Sequence, residues 1–433
     1  MIRFLYYVLM FLLYPVLYIW IRLRVFLKKE NPDRVHERFG HTRLSRPIGP
    51  IFWFHGASNG ECLSFISLLK YLQGKYPDVH FLVTSGTLTS SKLLEKLLPT
   101  RAFHQFLPLD NPVCVQRFLN YWNPSAVFMT ESDLWPNLIF ETSKREIPIT
   151  LLNGRLSEKS LRHWNLLPGF INNLLNKFNI IFSASEKHQK NFESLGLKNV
   201  IHAGNLKFSG RPLMVNESHL KLLISQINNR PTWVAACTHP GEEEILINVH
   251  NELKQHIPDI LTIIVPRHPN RAKGLENLWN KSGLKYGCRS LEDKITNKIE
   301  LYVFDTTGEL GLVYSLSDIA FIGGSLVPNI GGHNPIEGAQ LDSCILTGPY
   351  ISGNISIFDL FSEKEACFIV QSSQELSKTL LQLFANDSLR KKYVDNAKEL
   401  TLNQRNVLEV IIKKLEQSGV IHAKNTQILV QER

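Results

Sequence analysis

One pattern constrains this chain more than any other: short apolar runs that stop at glycine or a polar residue and lead into a helical stretch. Residues 318–322 (DIAFI) stop at Gly323 and Gly324; a second glycine pair, Gly331 and Gly332, follows, and then His333, Asn334, Pro335, Ile336 and Glu337. An apolar run of this length reads as a strand buried on both faces. Proline suits a first helical turn, because its missing N–H would be unpaired there. Glycines let backbone N–H groups approach a ligand, and a helix N-terminus favours an anion. Glu337, one turn into the helix, is placed to accept hydrogen bonds from a ribose. The glycines alone fit a plain tight turn equally well.

The same cadence repeats along the chain. Strands are expected at residues 51–54, 80–84, 126–129, 149–152 and 180–183, and again at 232–236, 261–265, 301–304 and 343–347. Strands alternating with helices mean parallel sheets, whose functional groups collect at the C-terminal strand ends. Those ends carry Glu61, Ser85, Glu131, Asp133, Asn153 and Arg155 in the first series. Glu61 follows a glycine loop and is suited to take a proton from a hydroxyl. Local sequence favours the plainer role of complementing a helix dipole. Trp135 and Pro136 fit the packing of a domain edge. Lys207 sits where the first series ends, as a linker cation or an anion-stabilising group. In the second series, Glu242, Glu243 and Glu244 read mostly as a solvated helix start. Pro266 and Arg267 put a cation at a strand end, and Gly308, Glu309 and Leu310 open a helix.

A chain of 433 residues exceeds one ordinary core. The stretch 209–216 (SGRPLMVN) lacks periodicity and marks a boundary. The expected division is an anchor over 1–28, an α/β domain over 29–212, and a second α/β domain with C-terminal helices over 213–433. Residues 4–21 are apolar and uncharged, with Arg3 before them and Arg22, Arg24, Lys28 and Lys29 after. This reads as a membrane anchor, either a single spanning helix or one lying in the interface, with the body on the cytoplasmic side. The net charge of +9 calls for an acidic partner. Six cysteines without CxxC spacing argue against a zinc site. Neither half carries a GxxxxGK[ST] loop or a convincing GxGxxG, which argues against an NTPase and a dinucleotide oxidoreductase.

Seven ordered motifs carry a resemblance: residues 55–61 (HGASNGE), 131–137 (ESDLWPN), 153–157 (NGRLS), 204–208 (GNLKF), 238–243 (THPGEE), 266–269 (PRHP) and 323–335 (GGSLV…GGHNP). Together they resemble the 3-deoxy-D-manno-octulosonic acid (Kdo) transferases over nearly the whole chain. The resemblance implies a GT-B glycosyltransferase, with two Rossmann-like domains facing a central cleft. It implies transfer of Kdo from CMP-Kdo to the lipid A precursor lipid IVA at the bacterial inner membrane. On the matching positions, the general base falls on Glu61, and transition-state stabilisation on Glu131 and Lys207. CMP binding falls on Pro266, Arg267, Gly308, Glu309, Leu310, Asn334, Pro335, Ile336 and Glu337. No metal or other cofactor is implied. The implied partners are the donor, the lipid acceptor and an anionic membrane surface, with no nucleic acid. Asn59, Asp133, Ser209 and a longer loop over 327–331 depart from the family pattern. A GT-B transferase with a different donor would bind UDP or GDP more tightly than CMP, and a scaffold that kept only the fold would show no turnover.

Overall fold

The computed structural model describes residues 1–164, 167–210, 212–404 and 406–421. It divides into two compact units, one of Met1–Gly210 with Gln404–Arg433 and the other of Arg211–Asn403. Each is built on a seven-stranded, all-parallel sheet.

The first sheet comprises β1 (Ile51–Gly56), β2 (His80–Ser85), β3 (Ala102–Phe106), β4 (Ala126–Thr130), β5 (Ile149–Gly154), β6 (Ile180–Ser183) and β7 (Val200–His202). Their order is β3-β2-β1-β4-β5-β6-β7. Side chains alternate across a strand, so both faces of β1 must be covered. Ile51 and Trp53 enter one core cluster, while Phe52 and Phe54 enter the other. The second sheet comprises β8 (Thr232–Thr238), β9 (Leu261–Pro266), β10 (Tyr286–Cys288), β11 (Leu301–Val303), β12 (Ile319–Ile322), β13 (Cys344–Thr347) and β14 (Cys367–Ile369). Their order is β10-β11-β9-β8-β12-β13-β14. In each sheet the winding direction reverses at the first strand, between β1 and β4 and between β8 and β12. Open parallel sheets bind ligands beyond the strand ends at such a reversal.

The chain ends differ from the sequence expectation. The second unit stops at Asn403 rather than running to the terminus. Helix Val407–Gln417 instead buries Val407, Ile411, Ile412 and Leu415 in the core cluster of Phe52, Phe54 and Leu206. At the other end, the apolar run is not one helix. It forms Ile2–Leu12 and Tyr14–Phe26, bent by 56°, with Pro15 in the first turn of the second. Proline removes a helix hydrogen bond and crowds the preceding turn, which breaks the run there. Among the described residues no single helix is long and apolar enough to cross a membrane. One side of the pair packs against the rest of the first unit. The Tyr6 hydroxyl donates to Asp110 Oδ2 at 2.8 Å, the Arg3 guanidinium lies 4.2 Å over the Phe140 ring, and Ile21 is buried with Phe39 and Cys114. Phe4, Leu12 and Phe26 remain 69%, 67% and 83% exposed.

Candidate functional site

In the first unit the candidate residues gather at the reversal. β1 runs through His55 and Gly56 into helix Asn59–Lys75, with Ser58 as its N-cap. Glu61 is the third residue of that helix. Its carboxylate accepts from the Ala57 N–H at 2.8 Å and from the Ser58 hydroxyl at 2.9 Å, and the Ser58 oxygen accepts the Glu61 N–H at 3.4 Å. These bonds hold the carboxylate in place at the helix N-terminus, where it also complements the helix dipole. Burial pushes its pKa above the ordinary carboxylate value; the Ala57 N–H opposes this, and the charge of Glu131 adds to it. A carboxylate made more basic in this way is a better proton acceptor.

Glu131 follows β4 in the left-handed region, with φ of 62°. A non-glycine residue held there stores strain of about 1–3 kcal/mol. Its carboxylate is pinned by Arg155 Nη1 at 3.1 Å and Lys207 Nζ at 3.5 Å. The loop that carries Lys207 is held by two asparagines. Asn153 Oδ1 accepts the Leu206 N–H at 2.8 Å, Asn153 Nδ2 donates to Asn205 Oδ1 at 3.1 Å, and Asn205 Oδ1 accepts the Lys207 N–H at 3.0 Å. Lys207 reaches the first turn of the Glu61 helix, where a Cβ on Gly60 would lie 3.5 Å from its Nζ. Burial lowers the Lys207 pKa, and Glu131 works against that shift. Glu61, Glu131 and Lys207 therefore share one electrostatic neighbourhood.

The neighbourhood has members that the sequence reading did not select. Arg155, noted only as a strand-end residue, is the second cation on Glu131. His55 is fully buried and bonds Thr84 Oγ1 through Nδ1 at 2.9 Å and Asp133 Oδ2 through Nε2 at 2.7 Å. Trp135 Nε1 donates to the same Asp133 oxygen at 2.9 Å. Trp135 packs against the core and also fixes an ionic group. Burial alone would raise the Asp133 pKa, but these bonds outweigh it and hold it below the usual value. The signal for His55 was its place as a polar residue near the C-terminal end of a buried strand.

The second unit repeats the arrangement at its own reversal. β8 ends in a bulge at Cys237, whose φ is 59°. Helix Glu242–Lys254 begins after Gly241. Here the structure corrects the expectation of a solvated acidic run. Glu242 is fully buried, and its two oxygens accept four backbone N–H groups: His239 at 2.9 Å, Gly324 at 2.7 Å, Ser325 at 2.9 Å and Leu326 at 2.9 Å. Glu243 is buried too, taking the Thr238 hydroxyl and a two-pronged contact from Arg271 at 2.9 and 3.2 Å. Only Glu244 is exposed. The glycine loop after β12 thus wraps a buried carboxylate. Gly323 is required there, since a Cβ would meet the Cys237 carbonyl oxygen at 2.7 Å.

Of the residues matched to CMP binding, Pro266 is buried at the end of β9 and Arg267 is exposed just beyond it. Pro335 caps the short helix Ile336–Ala339, and Asn334 Oδ1 accepts the Ile336 N–H at 3.1 Å. Burial raises the Glu337 pKa, and the charge of Arg267 partly offsets this. Gly308, with φ of 85°, and Glu309 precede helix Leu310–Tyr314. The Glu309 carboxylate turns to Arg289 Nη2 at 2.8 Å and to the Thr306 hydroxyl, and the Arg289 bond holds its pKa low.

Comparison with known proteins gives this geometry its context. Residues 33–210 match the family described as 3-deoxy-D-manno-octulosonic-acid transferase (kdotransferase). A 3-deoxy-D-manno-octulosonic acid transferase of Rickettsia bellii is 35% identical, covering 94% of this chain and 97% of its own. The transferase of Haemophilus influenzae is 30% identical over 96% of this chain and 98% of its own. The solved structure of HepE from Anabaena, in complex with UDP, covers 86% of this chain and 100% of its own at 15% identity, with a TM-score of 0.53. That likeness concerns the fold, two parallel α/β units of the GT-B kind. Full-length identity at this level shows that the chain belongs to the 3-deoxy-D-manno-octulosonic acid (Kdo) transferase family of glycosyltransferases.

Proposed function

We propose that this chain transfers Kdo from CMP-Kdo to lipid IVA, the lipid A precursor, with Glu61 as general base. The observation that carries the reading is the grouping of Glu61 with Glu131, Lys207 and Arg155 at the sheet reversal, in a member of this family. Glu61 takes the proton of the acceptor hydroxyl. The hydroxyl oxygen bonds to the anomeric carbon as the bond from that carbon to the CMP phosphate breaks, and CMP leaves. Lys207, held by Glu131, offers positive charge to the oxygens on which negative charge develops. On this reading Arg267 faces the donor phosphate and Glu337 the ribose. The bent N-terminal pair lies on the anionic inner membrane surface with the body on the cytoplasmic side. Its exposed apolar face and the juxtamembrane cations Arg22, Arg24, Lys28 and Lys29 support that placement.

Mass spectrometry of the product from CMP-Kdo and tetraacylated lipid A precursor in detergent tests the proposal. The full chain is expected to add Kdo, and Glu61→Gln to slow transfer about 100- to 10,000-fold while still binding CMP. An unmodified acceptor with the wild-type chain would refute the substrates, and near-normal turnover by Glu61→Gln would refute the base.

A further inference from the structure

Two histidines from distant parts of the second unit meet where its strand order reverses. His239 follows β8, and His333 follows the second glycine pair. Their Nε2 atoms are 2.8 Å apart, the ring centroids are 5.0 Å apart and the planes are within 14° of parallel. Two ring nitrogens at this distance hold one proton between them, so one ring donates and the other accepts. The contact is built by the loop. Gly332 N–H bonds the Gly324 carbonyl at 2.8 Å and His333 N–H bonds the Gly323 carbonyl at 3.2 Å, closing residues 323–333 on themselves. Glu242 fixes both sides of the junction through the amides of His239 and Gly324.

The charged groups around the pair leave it in a positive setting. Arg267 and His268 approach from the turn after β9, and Arg271 from the 3-10 turn Pro269–Arg271. Glu243 is engaged by Arg271, and Glu242 by backbone amides. Cys237 and Glu337, which both feel the charge of Arg267, are shifted toward their neutral forms by burial. Burial and the nearby cations push His239 below the ordinary histidine value and His333 down to about 4. The free pair is therefore neutral at physiological pH.

We propose that the His239–His333 pair binds the phosphate of the nucleotide ligand and takes up one proton from solvent on the free Nδ1 of the donating ring, the charge being shared across the Nε2 hydrogen bond already in place. This rests on the reading that the second unit takes a CMP donor. Burial is the larger cause of the pair's neutrality; an anion beside Arg267 offsets the part due to the cations and accepts a hydrogen bond better from imidazolium than from imidazole. The uptake stops at one proton, because two imidazolium rings at this separation repel each other.

Titration calorimetry of the full chain with CMP at pH 7.5, in two buffers of different ionisation enthalpy, measures the protons exchanged. The CMP phosphate is itself fully ionised there, since phosphate monoesters titrate near pH 6. The wild type is expected to take up about half to one proton per CMP and none with cytidine. CMP affinity should fall by up to about tenfold per pH unit above the pKa of the bound pair. His333→Asn and His333→Gln, the latter keeping a hydrogen-bonding partner for His239, should bind CMP more weakly with uptake near zero. CMP binding without proton uptake would overturn this inference and leave the donor reading intact, as would uptake undiminished in both variants. Failure of the wild type to bind CMP would overturn both.

Discussion

Replacing Glu242, itself fully buried, with alanine removes the acceptor for four backbone N–H groups, all at 2.7–2.9 Å, those of Gly324 and Ser325 in buried bonds and those of His239 and Leu326 in partly buried ones. Bonds to a charged group are worth about 1.5–3 kcal/mol each, which would sum to about 6–12 kcal/mol. The freed amides will not all stay unpaired, because the glycine loop can relax and admit water. A loss of about 3–5 kcal/mol, the usual cost of removing one member of a buried charged network, is the better expectation. For a unit of this size, about 2–4 °C accompanies each kcal/mol, so its melting transition should drop by about 6–20 °C. Glu242→Gln keeps one acceptor oxygen but turns an NH2 group toward backbone donors, so it should lie between alanine and wild type. Glu244→Ala is the control, an exposed neighbour whose effect should stay within about 0.5 kcal/mol. Thermal and denaturant unfolding, with amide exchange read at Gly324, Ser325 and Leu326, make the comparison. A Glu242→Ala midpoint no lower than that of Glu244→Ala, with those amides still protected, would refute the reasoning.

Two more outcomes are expected. Glu337→Ala should weaken CMP binding roughly ten- to hundredfold, matching about 1.5–3 kcal/mol for a hydrogen bond to a charged group, with little change in turnover at saturating donor; unchanged affinity by calorimetry would exclude the ribose contact. Deleting residues 1–24 should leave transfer in detergent intact, and lose about 1.5–3 kcal/mol of stability from the buried Ile21 side chain. It should also lower activity on acceptor in anionic vesicles, with a salt-sensitive part of about 1 kcal/mol per basic residue removed near the surface; equal vesicle activity at low and high salt would exclude the anchoring role.

The sequence showed the sheets' centres and hid their edges. β1, β2, β4, β5, β6, β8, β9, β11, β12 and β13 are covered on both faces, so each reads as an unbroken apolar run. The strands that escaped notice, β3, β7, β10 and β14, are the outermost of each sheet. β3 also carries His104 and Gln105, which are buried because they bond Ser85 and Trp122, a pairing no local pattern reveals. Glu61, Glu131 and Lys207 were legible as polar groups at strand ends. Glu242 was not, because three of its four partners lie more than eighty positions away. The bend at Pro15 was visible as a proline, but the docking of the bent pair depends on Asp110, an aspartate that nothing in its own surroundings sets apart.

The return of the C-terminal helix to the first unit has a consequence for how the protein is made. Gln404 Oε1 accepts the Asn205 N–H at 3.1 Å, and Val407 packs so closely on Gly204 that a Cβ there would lie 2.6 Å from it. Asn205 is the residue that holds the Lys207 amide. A chain emerging from the ribosome at about 5–20 residues per second presents residue 421 some 10–40 s after residue 210. Through that interval the first sheet exists without part of its core, and the Lys207 loop lacks its outer support. The nascent first unit must wait, partly open, for helix Val407–Gln417.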